Sequence, residues 1–316
     1  MRITILDDWT NSVRNLKCFS KLAGHDVQVW TDSALDEEAL VQRLAGTEVI
    51  VLIRDRTRIG PQVIAALPSL RLISLLGPAF HIDLEVCRGA QVLVTSTMRR
   101  VGPSFATAEL TWALILAASR YLPDQITALK EGRWQTRVGR TLRGLRLGIL
   151  GFDDIGQLTA SYGVAFGMSI SVWGSPSGRA HARLAGYSVP NTRSAFFCGS
   201  DVVSIHPCLA TEAMHSVSAD DLAGMRPDSI LVNTSRSHAV ASQTLLAALD
   251  NGRPGLAAVD VFDREPVDPA LEPMISHPRV IATPHLGYVT SEEFEEYFDI
   301  VFDQVLAYAR GNPINI

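Results

Sequence analysis

The chain has 316 residues, 47% of them hydrophobic and 19% charged, which is the composition of a globular protein with enough length for two cores. Its 28 Lys and Arg against 33 Asp and Glu leave a net charge of −5, without the basic block that nucleic acid or an anionic membrane surface would select. No apolar run is as long as a membrane span, and the opening MRITILDDW has no apolar leader core, so a cytoplasmic protein is expected, without nucleic-acid or membrane partners. Cys18, Cys87, Cys198 and Cys208 lie far apart in the sequence; that pattern is neither a disulfide framework nor a metal motif, and it reads as buried, inert thiols.

In chain order, short apolar runs at 3–6, 27–30, 49–53, 72–76 and 92–95 alternate with helical segments at 11–22, 35–44, 61–67 and 82–89. Such alternation through short connections predicts parallel pairing with helices on both faces of a sheet. The stretch at 103–122, PSFATAELTWALILAASRYL, is apolar on nearly every side. It predicts a helix buried all round, passing between domains or into a subunit interface. A second series of strands follows from Leu147, at 170–173, 202–205, 230–233, 256–261 and 280–282. The fold class expected is α/β, with two doubly wound parallel-sheet domains, Rossmann- or flavodoxin-like, and the active-site cleft between them. At 291–310, Phe294, Phe298, Val301, Val305 and Tyr308 form the stripe of an amphipathic helix, with Thr290 or Ser291 to cap it and Gly311 and Pro313 to stop it. This helix is expected to complete the first domain, which then comprises 1–98 and 287–316 and binds substrate, while 99–286 binds a dinucleotide.

The second series opens with LRLGILGFDDIGQLTASYGVAFGMSISVW, a strand, a glycine turn, a helical segment and a second strand. That is the layout in which a helix N-terminus receives a diphosphate. The usual turn is G-x-G-x-x-G, but in Gly151-Phe152-Asp153-Asp154-Ile155-Gly156 the middle glycine is Asp153. Two dispositions stay open for its side chain. Pointed at a diphosphate, it costs on the order of a few kcal/mol at an effective dielectric of about 20; turned to solvent or capping the helix, it costs little.

Ligands of open parallel sheets bind beyond the carboxyl ends of the strands. Three successive ends here deliver Thr234-Ser235-Arg236, then Phe262-Asp263-Arg264-Glu265, then Thr283-Pro284-His285. An imidazole held by a carboxylate suits proton transfer at neutral pH. A guanidinium fork suits a carboxylate and an adjacent carbonyl. Each residue alone also has a bland reading, as a loop or surface group, and the three together make a site.

The order of GILGFDDIG, FGM, SDVVSIH, LVNTSR, AAVDVFDREP and TPHLGYVT resembles the D-2-hydroxyacid dehydrogenase family over nearly the whole chain. The resemblance implies that Arg236 binds the substrate carboxylate and carbonyl, that Glu265 supports His285, and that His285 protonates the carbonyl as hydride arrives from a reduced nicotinamide. It implies that Asp260 accepts from the nicotinamide carboxamide. Gly151, Asp153, Asp154, Ile155, Gly156, Ser175, Arg179 and Thr234 then surround the cofactor, NAD or NADP. The family's ribose-binding acid is replaced by Gly174, which tilts the expectation towards NADP, while Asp153 makes weak or absent binding an open outcome. A flexible loop without phosphate duty is the alternative reading of 174–179. Arg54, with Arg56 beside it, Gly77, Pro78 and His81 fall where the family contacts its substrate. Here the glycine-rich loop reads Gly77-Pro78-Ala79-Phe80-His81, and Pro78 has no N–H to offer. The implied substrate is a small carboxylate, larger or less acidic than lactate or glyoxylate, and the implied assembly is a homodimer. Two other readings stay open: the same triad turned to non-redox acid–base chemistry on a carboxylate substrate, and a regulatory binding protein with this fold.

Overall fold

The structure, a computed structural model, describes residues 1–97, 104–206 and 216–316. Cys208 and the first residue of the 103–122 segment therefore lie outside the described residues. The chain forms two compact units, Met1–Gly102 with Thr290–Ile316, and Pro103–Val289.

In the first unit β1 (Arg2–Ile5), β2 (Asp26–Val29), β3 (Val49–Val51), β4 (Leu72–Ser74) and β5 (Leu93–Thr95) form a parallel sheet in the order β2-β1-β3-β4-β5. β3 and β4 are buried along their whole length, which is why they read as unbroken apolar runs rather than alternating ones. The helices α1 (Glu37–Arg43) and α3 (Leu84–Gly89) start at aspartate caps, Asp36 accepting from the Ala39 N–H at 2.8 Å and Asp83 from that of Val86 at 3.0 Å. Between them, α2 (Pro61–Ala65) begins on a proline, whose missing N–H costs nothing there.

The segment at 11–22 departs from the helix its pattern predicts. It folds as two 3₁₀ turns, Val13–Asn15 and Lys17–Leu22. The cause lies in two carboxylates outside the segment. Asp8 accepts from the N–H groups of Ser12 and Val13 at 3.1 and 2.9 Å, and Glu295 accepts from those of Lys17 and Cys18 at 2.9 and 2.6 Å. Backbone donors satisfied from elsewhere in this way start each turn afresh.

In the second unit β6 (Arg146–Leu150), β7 (Ser169–Trp173), β8 (Val202–Ile205), β9 (Ile230–Asn233), β10 (Leu256–Val259) and β11 (Val280–Ala282) form a parallel sheet in the order β11-β10-β9-β8-β6-β7. A single parallel bridge from Ser171 to Ser188 continues the sheet past β7. The strand order reverses between β6 and β8, which makes their carboxyl ends the switch-point crevice.

The 103–122 stretch becomes α4 (Phe105–Arg120), and α5 (Leu122–Lys130), which lies almost wholly past that stretch, follows after Tyr121 takes a left-handed φ of +51°. α4 packs on α6 (Asp154–Ala165) and on β9 and β10, with the Trp112 indole N–H donating to the Thr159 carbonyl at 3.0 Å. It is not buried all round within its own unit. Phe105, Glu109 and Ala113 are exposed along one face. Among the described residues, the remaining α-helices of this unit are α7 (Pro176–Leu184), α8 (Arg193–Gly199), α9 (Ala219–Gly224), α10 (Ser242–Asp250) and α11 (Pro273–Ser276).

The last helix, α12 (Ser291–Ala309), belongs to the first unit, where Phe294, Tyr297, Phe298, Val301, Phe302 and Val305 are buried. Its Gln304 is also fully buried, hydrogen-bonded to Ser74 and Thr95 at 2.7 and 3.0 Å. Thr290 caps it, accepting from the Glu293 N–H at 3.2 Å. Thr290→Ala removes that acceptor and is expected to lower stability by about 1 kcal/mol, read as a fall in Tm. An unchanged Tm would show that the cap carries no stability.

Candidate functional site

The 283–287 turn after β11 is organised by Asp260, which follows β10 and is completely buried. Its Oδ1 accepts from Thr283 Oγ1 at 2.6 Å and from the Leu286 N–H at 2.8 Å, and its Oδ2 accepts from the Gly287 N–H at 2.9 Å. Burial raises its pKa against the pull of these donors. Between them sits His285 with a φ of +53°, a conformation that costs a non-glycine residue about 1 kcal/mol and persists only where neighbours enforce it. Gly287 is glycine for contact reasons: a Cβ there would stand 3.3 Å from Asp260 Oδ2 and 3.4 Å from Thr107.

His285 Nδ1 lies 2.5 Å from Glu265 Oε2, and the other Glu265 oxygen accepts from the Phe262 N–H at 2.9 Å. The carboxylate is thus anchored to its own loop while it fixes the imidazole. With Nδ1 committed, Nε2 is the atom left for proton exchange with a ligand. The Tyr288 ring meets the imidazole edge-on, with centroids 5.2 Å apart.

One strand over, Asn233 ends β9 and shapes the turn that carries Arg236. Its Oδ1 accepts from the Ser235 N–H at 3.1 Å and hydroxyl at 2.8 Å, while its Nδ2 donates to the Arg236 carbonyl at 2.9 Å. Arg236 is exposed, its Nη1 donating to the Ser235 carbonyl at 2.9 Å. Thr234 is buried, its hydroxyl 2.7 Å from that of Thr111 on α4. Glu265, His285, Asp260 and Thr283 thus form one bonded set, with Arg236 at the neighbouring strand end.

At the carboxyl end of β6, Gly151 has a φ of +89°. A Cβ on Gly156 would come within 2.8 Å of the Gly151 carbonyl, so both glycines answer to geometry. Asp153 takes the capping disposition, its Oδ1 accepting from the Gly156 N–H at 2.7 Å. Burial pushes its carboxyl up to about 6, opposed by that N–H and reinforced by the Asp154 charge. Asp154 itself is exposed and Ile155 half-buried. The turn keeps the shape of a diphosphate cradle, with one of its helix N–H groups already satisfied by a side chain.

After β7, Gly174 packs against the turn; a Cβ there would sit 3.4 Å from Gly151 Cα. Ser175 caps α7 by accepting from the Gly178 N–H at 3.1 Å, and the Arg179 guanidinium lies 4.6 Å from the Trp173 ring centre. The 174–179 segment therefore carries the capped start of α7. Sequence reasoning missed His206, which ends the β8 run and backs the turn: it is buried, its Nε2 is 2.8 Å from Ser204 Oγ, and burial lowers its pKa to about 3. The signal available for it was a histidine closing an otherwise apolar strand.

In the first unit Arg54, just beyond β3, has a φ of +56° and lies over Tyr297, 5.5 Å from the ring centre. A Cβ on Gly77 would stand 3.9 Å from its Nη1, so Arg54 and Gly77 are neighbours. Arg56 instead turns to β1, donating to the Asp7 carbonyl at 2.6 Å and stacking 4.1 Å from Trp9. Gly77, Pro78, Phe80 and His81 line a hollow of about 720 Å³. Both ring nitrogens of His81 are buried without a hydrogen-bond partner among the described residues, and desolvation lowers its pKa.

Residues 112–287 match the family model described as D-isomer specific 2-hydroxyacid dehydrogenase, NAD binding domain. Glyoxylate reductase of Aeropyrum pernix is 31% identical over 305 residues, covering 92% of this chain and 89% of that protein. D-3-phosphoglycerate dehydrogenase of Methanocaldococcus jannaschii is 29% identical over 287 residues, which cover 90% of this chain but 54% of that protein, so the chain spans about half the length of this relative. Among solved structures, phosphoglycerate oxidoreductase from Vibrio cholerae o395 superposes with a TM-score of 0.93 at 44% identity, covering 98% of this chain and 99% of that one. A model match over more than half of the chain and a relative aligned over nearly its full length lead to the same assignment: the chain belongs to the D-isomer specific 2-hydroxyacid dehydrogenase family.

Proposed function

We propose that this protein interconverts a 2-oxo acid and a D-2-hydroxy acid with a nicotinamide dinucleotide. The observation that carries the reading is the 2.5 Å contact between His285 and Glu265 at the carboxyl end of a dinucleotide-type sheet. The described residues fit such a cofactor: the switch point between β6 and β8 lies beside the Gly151–Gly156 turn, and Asp153 is folded onto its helix rather than across the cradle. When bound, the nicotinamide supplies or receives the hydride.

His285 Nε2 gives the proton to the carbonyl oxygen during reduction and takes it back during oxidation, while Glu265 holds the ring in orientation through Nδ1. Arg236 pairs with the substrate carboxylate through its fork and polarises the adjacent carbonyl. Asp260 keeps the 283–287 turn in place and retains acceptor capacity for an amide donor. Gly174 places no carboxylate where one would reject a 2′-phosphate, and Arg179 stands on the same helix start, which favours NADP(H) over a strict NAD(H) requirement. The hollow bounded by Pro78 and Phe80 supports a substrate bulkier than glyoxylate. The exposed Phe105 on α4, with Leu122, Ile126 and Leu129 on α5, supports a homodimer.

The test is oxidation of NADH and of NADPH with a panel of 2-oxo acids of increasing side-chain size. Absence of oxidation with every member, or turnover of a carboxylate substrate without nicotinamide, overturns the reading. Within it, Arg236→Lys keeps the charge but loses the fork, so KM for the 2-oxo acid is expected to rise about tenfold or more while kcat changes less. Equal losses in kcat and kcat/KM, with KM unchanged, would place the Arg236 contact in the transition state alone.

A further inference from the structure

Far from the carboxyl ends, the amino-terminal edge of the six-stranded sheet holds a hollow of about 740 Å³ within the second unit. Ile230 and Leu256, the first residues of β9 and β10, form part of its lining, with Arg279 immediately before β11. A strand of four residues separates this edge from the opposite one by about 10 Å, so the hollow is distinct from the His285 site.

Its charge is unlike that of the chain. The protein carries a net −5, yet Arg137, Arg140, Arg253 and Arg279 all line the hollow, against one acid, Asp228. Asp228 is already engaged, 2.8 Å from Arg226 and 3.5 Å from Arg140. Arg137 has a partner in Asp124 at 3.2 Å. Arg253 and Arg279 have no carboxylate partner among the described residues.

Those two guanidiniums are nevertheless held in place. Arg253 donates to the Met225 carbonyl at 3.2 Å, just past α9, and Arg279 to the Leu249 carbonyl at 3.0 Å, near the end of α10. Each bond uses one of five N–H donors and leaves the rest of the fork available. A Cβ on Gly252 would lie 3.3 Å from Arg279 Nη1, so the side chain packs along the turn. Arginines anchored at one corner lose less freedom on capturing an anion than free surface arginines do. The far wall is equally fixed: the Arg140 N–H donates to the Ser119 carbonyl at 3.0 Å, and a Cβ on Gly139 would fall 2.7 Å from that same oxygen. Ser119 Oγ, buried beside it, has no hydrogen-bond partner among the described residues.

From these observations we infer a second ligand site, for a small organic anion bearing two or more carboxylate or phosphate groups. The guanidiniums supply bidentate recognition, Tyr121 and Leu256 supply an apolar wall for the organic body, and the volume suits a small molecule rather than a flat protein contact. The inference stands independently of the reaction proposed at the carboxyl edge.

Citrate and inorganic phosphate, titrated calorimetrically into the whole protein saturated with NADH, are the probes. Citrate is expected to bind once per chain and more tightly than phosphate. Its binding is expected to persist in Arg236→Gln, and to weaken about 10- to 100-fold in Arg253→Ser/Arg279→Ser, the range for losing charge-assisted hydrogen bonds. Arg279→Lys, which retains charge and changes little of the surface, should fall between the two. Citrate binding that survives the double variant, or that vanishes in Arg236→Gln, overturns the site, as does absence of binding to wild type. A change in sedimentation mass of the double variant without citrate would show the hollow filled by a second copy of the chain, and would equally overturn it.

Discussion

His285→Asn is expected to lower kcat for 2-oxo acid reduction by about two to four orders of magnitude, the range for a positioned general acid, while nicotinamide binding stays within a few-fold of wild type. The reasoning is local. Nδ1 is committed to Glu265 at 2.5 Å, so the ring presents Nε2 alone to a ligand. Asparagine fills part of the space and keeps polarity but has no proton to give at neutral pH. The side chain is dispensable for the fold of its turn, because that turn is tied to Asp260 through Thr283, Leu286 and Gly287 rather than through the imidazole. Initial rates of NADH oxidation together with a fluorescence titration of NADH separate the two effects. A loss of kcat smaller than tenfold would remove His285 from the proton-transfer step.

Asp153→Gly is expected to tighten NADH or NADPH binding by about three- to tenfold, provided the comparison is made well above the wild-type carboxyl's pKa of about 6. With the carboxylate folded onto the Gly156 N–H, what remains is the screened repulsion of charges about 8–10 Å apart, on the order of 1 kcal/mol at an effective dielectric near 20. One decade of affinity corresponds to about 1.4 kcal/mol. The sign with pH follows from the raised pKa. Above about 6 the group is charged and opposes the diphosphate; as pH falls through about 6 it gains a proton and the repulsion disappears. Wild-type affinity should therefore rise on acidification through that window, and the glycine variant should lack this rise. Loss of the cap to Gly156 costs only a few tenths of a kcal/mol when glycine replaces aspartate. Calorimetric or fluorescence titrations on both sides of the carboxyl's pKa measure the difference. Equal affinities and equal pH dependence would show that Asp153 has no electrostatic hold on the cofactor.

The strand runs at 202–205, 230–233 and 280–282 coincide with β8, β9 and β11 because those segments are short, apolar and closed by turn residues. That Glu265, His285 and Arg236 stand beyond strand ends was legible for a related reason: they lie among the turn residues that close such runs at the carboxyl edge of the sheet. The terminal helix was likewise legible from its stripe, although Tyr297 and Phe302 widen its buried face beyond what the spacing shows.

What the sequence by itself determined, then, is which segments pair as parallel strands and which side chains stand at their carboxyl ends, since both follow from local apolar runs and the turn residues that end them. Only the tertiary structure decided the matters that depend on partners distant in the chain. Asp8 and Glu295 draw the 11–22 segment into 3₁₀ turns, and Gln304 is buried because Ser74 and Thr95 receive it. Asp260 holds the histidine turn, Arg56 is drawn to Asp7 and Trp9, and Asp153 settles onto Gly156 instead of facing outward. In each case a polar group found its hydrogen-bond partner, and residue spacing carries no record of where such partners will be.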